Sequence, residues 1–222
     1  MTAQLRSELL KLRTTRTVAL LLLGAAGLTL FGACIEGLSP TRAELMTEET
    51  QRSLLGAGIT AVLFATFAGL VAVTSEFRYG TIRPTLLVQP RRRVVLAAKL
   101  AATALAGLVF AAVCVALALG AGRVILSARG VDLALTGGEL LGVAGGTAAA
   151  SVLGAWLGVA VGTLIRNQAG AIIALAAYAF AVDAVLFAAA PSVGRFLPGK
   201  AGDGLAGLPD EHLLAPERAP RC

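Results

Sequence analysis

Five apolar runs dominate this chain and leave few folds open to it. They cover residues 18–35, 54–75, 94–122, 138–165 and 169–190. Crossing a hydrocarbon core of roughly 30 Å takes about 20 residues of α-helix. Inside that core every backbone N–H and C=O needs a partner from the chain itself, which a helix supplies. The expected fold is all-α: a polytopic transmembrane bundle of five spans, forming one membrane domain over residues 1–190. Residues 191–222 are rich in glycine and proline and read as an irregular C-terminal tail. Composition agrees, since 57% of the 222 residues are hydrophobic and only 14% charged, too few charges to cover a soluble domain.

Basic residues before Val18 resemble the start of a signal peptide. Four more apolar runs follow, however, and no small-residue cleavage site precedes Glu36, so the first run is expected to remain as a span. Lysine and arginine then set the orientation. With the N-terminus in the cytoplasm, eleven of them fall on the inner side and four (Arg42, Arg52, Arg123, Arg129) on the outer. The acidic stretch EGLSPTRAELMTEETQRS, residues 36–53, faces outward. Preference for arginine over lysine points to a GC-rich bacterial genome, and so to the bacterial cytoplasmic (inner) membrane. Before the first span, Leu5, Leu9 and Leu12 recur at helical spacing with Arg6, Arg13 and Arg16 elsewhere, which predicts an amphipathic helix lying in the inner interface.

Several residue patterns exclude chemistry. Cys34, Cys114 and Cys222 have no metal-ligand spacing, and two of them lie in apolar runs where thiols fill space. The single histidine, His212, lies in the tail, so no metal centre and no histidine-based catalysis is expected. Gly194–Lys200 matches the first seven positions of a phosphate-binding loop, but Ala201 replaces the hydroxyl residue and Pro198 removes an N–H from the cradle. The chain is therefore not expected to be an enzyme or to hold a nucleotide or other cofactor. Its net charge of +6 is accounted for by topology, and no nucleic-acid partner is expected.

Two features lie within the spans. Gly138, Gly142, Gly146, Ala150, Gly154, Gly158 and Gly162 put a small residue at every fourth position of the fourth run. Such rows let helices approach closely. A four-residue step overshoots a turn by about 40°, so the row winds round its helix and should meet different neighbours at different depths. Asp183 in the fifth run is an intramembrane carboxylate, read as a pathway residue or as a structural bond to a neighbouring helix.

Between the second and third runs lies a polar island, SEFRYGTIRPTLLVQPRRRVVLAAK, residues 75–99. A loop that needed only solvation would have no use for Phe77 and Tyr79. Rings combined with arginine are what protein interfaces favour, so residues 76–83 read as a docking element. Gly80 permits a helix break and Pro84 a fresh helical start. Arg91, Arg92 and Arg93, with Arg13 and Arg16, read as anchors to lipid headgroups.

This island resembles the signature loop of type-2 ATP-binding-cassette exporter permeases. Glu76, Phe77, Arg78, Gly80 and Thr81 match the family's E-(F/Y)-R-x-G-T segment. Thr85, Leu86, Leu87, Pro90, Arg91, Arg92, Arg93 and Lys99 match the run that follows it. The opening QLRSELLKLRTTR resembles the family's interfacial helix, and span order agrees over residues 4–190. The resemblance implies a permease subunit of an ATP-dependent exporter, with Glu76, Phe77, Arg78, Tyr79, Gly80 and Thr81 in a coupling helix gripped by a separate ATPase subunit. It also implies a second permease copy, as homodimer or heterodimer. The family has six spans where five are read here, and the alternative expectation is a non-transporting immunity, assembly or regulatory protein derived from such a permease.

Overall fold

The computed structural model describes residues 2–81, 87 and 91–178; every structural statement below concerns those residues. They form helices joined by short turns, with no strand among them. Helix α1 (Thr2–Thr14) is separated from α2 (Arg16–Leu38) by Thr15 alone, whose backbone is extended at φ −81° and ψ 112°. The hydroxyls of Thr14 and Thr15 bond back to the carbonyls of Leu10 and Lys11 at 2.7 and 2.5 Å, and Thr15 N–H also donates to Lys11 O at 3.1 Å, so the last turn of α1 stays bonded up to the break.

Helix α3 (Glu48–Gly56) starts at Thr47, whose side chain caps the N–H of Thr50. A 3₁₀ turn, Ala57–Ile59, leads directly into α4 (Thr60–Arg78). Helix α4 ends in a Schellman motif: Gly80 takes φ +67°, Thr81 N–H donates to Glu76 O at 3.0 Å and Gly80 N–H to Phe77 O at 3.4 Å. Helix α5 (Arg92–Ala128) ends the same way, with Gly130 at φ +62° and Val131 N–H on Leu126 O at 3.0 Å. Thr136 and Glu139 form a capping box that starts α6 (Gly137–Leu164), and Asn167 caps α7 (Gln168–Ala177).

Four helical stretches are long and apolar enough to cross a membrane: Arg16–Leu38, Glu48–Arg78, Arg92–Ala128 and Gly137–Leu164. The first three expected spans are extended at both ends, and the fourth starts one residue early and stops one residue short, at Leu164. Helix α7 takes in residues 169–177 of the fifth expected run; residues 179–190 of that run, Asp183 among them, and the tail 191–222 lie outside the described residues.

Helix α4 packs most closely on α6, and small residues are the reason. A methyl group on Gly154 would lie 2.6 Å from Thr66 Oγ1 and 3.1 Å from Val62 O. One on Gly162 would lie 3.0 Å from Leu70 O. One on Gly158 would collide with Thr66 O, and one on Gly69 with Ala155 O. Gly107 brings α5 equally close to Ser151 of α6. Gly142, in the same row, meets nothing within 4 Å, and the neighbour of the later glycines is α4 throughout. Apolar clusters fill the remaining gaps, one around Ala25, Ala65, Phe110, Cys114 and Ala155, another around Leu70, Val71, Ala171 and Leu175.

Gln51, fully buried, organises the end opposite α1. Its Nε2 donates to Leu45 O at 2.9 Å and Asp132 O at 3.0 Å, and its Oε1 accepts from Ala134 N–H at 2.8 Å. Arg42, Arg52 and Arg129 bind Gly130 O, Glu139 and Leu38 O there, so these arginines fasten the connections as well as carrying charge.

Candidate functional site

The other end gathers α1, the start of α2, the end of α4, the start of α5 and the α6–α7 link. Four charged side chains from three of these helices meet there. Lys11 Nζ lies 2.7 Å from Glu8 Oε1 and 2.8 Å from Glu76 Oε1. Lys99 Nζ lies 2.6 Å from Glu8 Oε2 and 3.0 Å from Glu76 Oε1. The result is a closed ring of alternating sign, with Lys99 Nζ also 3.4 Å from Ala72 O. Glu8, Glu76 and Lys99 are at most 6% exposed, whereas the Lys11 side chain is 38% exposed.

A buried ion is tolerated only with partners that replace its hydration. The ring supplies them, since each carboxylate faces both ammonium groups and the four charges sum to zero. Burial works to raise the Glu8 carboxyl, but the Lys99 charge and the hydrogen bonds from Lys11 and Lys99 outweigh it and hold Glu8 below the ordinary carboxylate value. Burial likewise works against the Lys11 ammonium, but hydrogen bonds to Glu76 and Glu8 outweigh it and raise Lys11 above the ordinary lysine value.

The six residues expected to dock a partner fall into two groups. Glu76 is buried in the ring and Phe77 is half-buried, with the Arg166 guanidinium 5.9 Å from its ring centroid. The Glu76 carboxylate therefore faces inward, because its phase on α4 is that of the buried Gly69 and Val73. Arg78, Tyr79, Gly80 and Thr81 are exposed beyond it. The Arg78 guanidinium lies 5.6 Å from the Tyr79 ring and donates to Gln168 Oε1 at 3.2 Å. Arg83, Pro84 and the following residues to Pro90, except Leu87, lie outside the described residues. Arg13, Arg16, Arg91, Arg92 and Arg93 are all exposed at this same end.

Helix α1 packs on α5 and on the start of α2, and Glu8 is its most buried described side chain. Leu5, Leu9 and Leu12 are only half-buried and Leu10 is 52% exposed, so the face turned inward is centred on Glu8 and not on the leucine stripe. Beside the ring opens a crevice of about 240 Å³, lined by apolar Leu12, Val18 and Val71 and by Thr15, Ser75 and Tyr79. The sequence suggested Glu76 as a docking contact and Lys99 only as part of the run matching the family's loop, and it offered Glu8 and Lys11 no partner. Comparison with protein-family models, with curated proteins and with solved structures gives no match to this chain.

Proposed function

We propose that this chain is the membrane-embedded permease subunit of an ATP-dependent exporter, driven by a separate ATPase that grips the segment following α4. One observation carries the reading. The exposed Arg78–Thr81 turn is rooted, through Glu76, Phe77 and Arg78, in α1, α5 and the α6–α7 link at once. A displacement imposed on that turn would be passed to helices on every side of the bundle's end, as coupling to an external engine requires. In this reading the α1 end faces the cytoplasm of a bacterium, α1 lies at the inner interface, and Arg13, Arg16, Arg91, Arg92 and Arg93 meet lipid headgroups. The permease acts as a dimer, with ATP bound by the partner subunit.

The test avoids Glu76, whose loss would strand a buried charge whether or not an ATPase docks. Gly80→Trp alters the exposed turn itself: the added side chain meets nothing within 4 Å, but at φ +67° it strains the turn's backbone while leaving the packed helices alone. Purified from bacterial membranes, the tagged wild type should bring down a cassette-type ATPase and stimulate its hydrolysis. Gly80→Trp should do neither while inserting normally. Absence of an ATPase from both preparations, or normal stimulation by the variant, would overturn the proposal.

A further inference from the structure

The ring of Glu8, Lys11, Glu76 and Lys99 divides into two neutral halves along the seam between α1 and the spans. Glu8 and Lys11, one turn apart on α1, pair with each other at 2.7 Å. Lys99 of α5 and Glu76 of α4 pair at 3.0 Å. Two contacts cross the seam, Lys99–Glu8 at 2.6 Å and Lys11–Glu76 at 2.8 Å. Each half holds one carboxylate and one ammonium. Breaking a buried ion pair is costly chiefly because it strands a charge without a partner. Parting this ring along the α1 seam strands none.

The surroundings suit such a parting. The crevice of about 240 Å³ lies directly against the ring, and the Lys11 side chain, 38% exposed, already borders it, so water has a path to both halves. The apolar hold on α1 is slight, since none of its described leucines is buried. A hinge is present too, in the extended backbone of Thr15, the single non-helical residue between α1 and α2.

We infer that α1 is a releasable clasp: the ring parts along the α1 seam into the pairs Glu8–Lys11 and Glu76–Lys99, and α1 swings about Thr15 while α4, α5 and α6 stay packed. Glu76 begins the turn that ends at Thr81, to which its carbonyl is bonded at 3.0 Å, so closing or opening the clasp changes what holds that turn. The inference concerns this chain alone and stands whether or not an ATPase docks on it.

Amide hydrogen exchange of the full chain in phospholipid nanodiscs tests it. In the wild type, amides of residues 5–14 should exchange faster than those of α4, α5 and α6, by local opening. The exchange E8K/K11E keeps both halves neutral but sets like charges opposite each other across the seam. It should speed α1 exchange at least about tenfold and leave the spans unchanged. Reversing all four signs (E8K/K11E/E76K/K99E) restores the alternation and should return α1 protection to near the wild-type level. A second comparison serves if the fourfold variant does not fold. E8Q removes one member of a neutral half and should disturb α4 and α5 more than E8Q/K11Q, which removes the whole half. The inference is overturned if α1 and the spans exchange at one common rate, if E8K/K11E leaves α1 unchanged or loosens every helix alike, or if E8Q/K11Q disturbs the spans more than E8Q.

Discussion

Replacing Lys99 by methionine removes one cation from the ring and keeps most of the side chain's apolar stem. Two carboxylates, Glu8 and Glu76, must then share Lys11. Stranding a buried charge in this way costs about 3–5 kcal/mol. Taking up a proton limits the damage. A carboxyl with an ordinary pKa of 4.5 held protonated at pH 7 costs about 2.5 pH units at about 1.36 kcal/mol each, or about 3.4 kcal/mol. Proton uptake therefore caps the penalty, and the expected loss at pH 7 is about 3 kcal/mol, or about 6–12 °C in Tm for a chain of this size.

The cap also gives the loss a pH signature. Folded Lys99→Met holds a proton that its unfolded chain releases above the ordinary carboxyl pKa, so its deficit against wild type grows as pH rises from there. Near pH 4.5 the deficit should fall below about 1 kcal/mol, because protonation there is nearly free. Trp156 is the sole tryptophan and reports on the site, since its indole N–H donates to Leu100 O at 3.0 Å, one residue from Lys99. Thermal unfolding in nanodiscs, followed by its fluorescence between pH 4.5 and 8, is the assay. A variant as stable as wild type at pH 7, or a deficit that ignores pH, would refute the buried ring.

Gly158→Ala should destabilise by about 1–3 kcal/mol, because the methyl collides with Thr66 O and would lie 2.8 Å from Leu70 N. Gly142→Ala, with nothing within 4 Å, should instead gain up to about 1 kcal/mol from helix propensity, and Tm values in the opposite order would refute the α4–α6 contact. Protection of α1, corrected for intrinsic exchange, should be flat from about pH 5 to about pH 10. Below that range it falls as pH drops through the lowered Glu8 pKa, and above it as pH rises through the raised Lys11 pKa; a decline beginning near neutrality would mean that another group holds α1.

The four helices long and apolar enough to cross a membrane were readable because apolar runs of that length have one economical structure. Their ends were not, since capping extends a helix beyond its apolar run. The Thr47 cap starts the second stretch at Glu48, six residues before Leu54, and the turn at Gly130 ends α5 at Ala128, six residues after Gly122. Glu36 ended the first run by polarity, yet the helix runs on to Leu38, with Ser53 donating to the Glu36 carboxylate at 3.2 Å. The site was harder to read for a different reason, because its contacts join residues 65 and 91 positions apart, and spacing along the chain says nothing about such pairs.

A charge argument would nonetheless have reached the ring. Lys99 follows the phase of the buried Ala102, Thr103 and Phe110 on α5, so its ammonium points into the bundle and needs a carboxylate. In the segments at that end, residues 1–17, 75–99 and 166–168, the acidic residues are Glu8 and Glu76 alone. One buried cation with two candidate anions leaves an excess negative charge, and Lys11, one turn from Glu8, is the cation placed to balance it. The polar island was thus readable as a surface from its aromatic and arginine content. Its Glu76 was readable as an anchor only once the signs of the charges were counted against the helical phase.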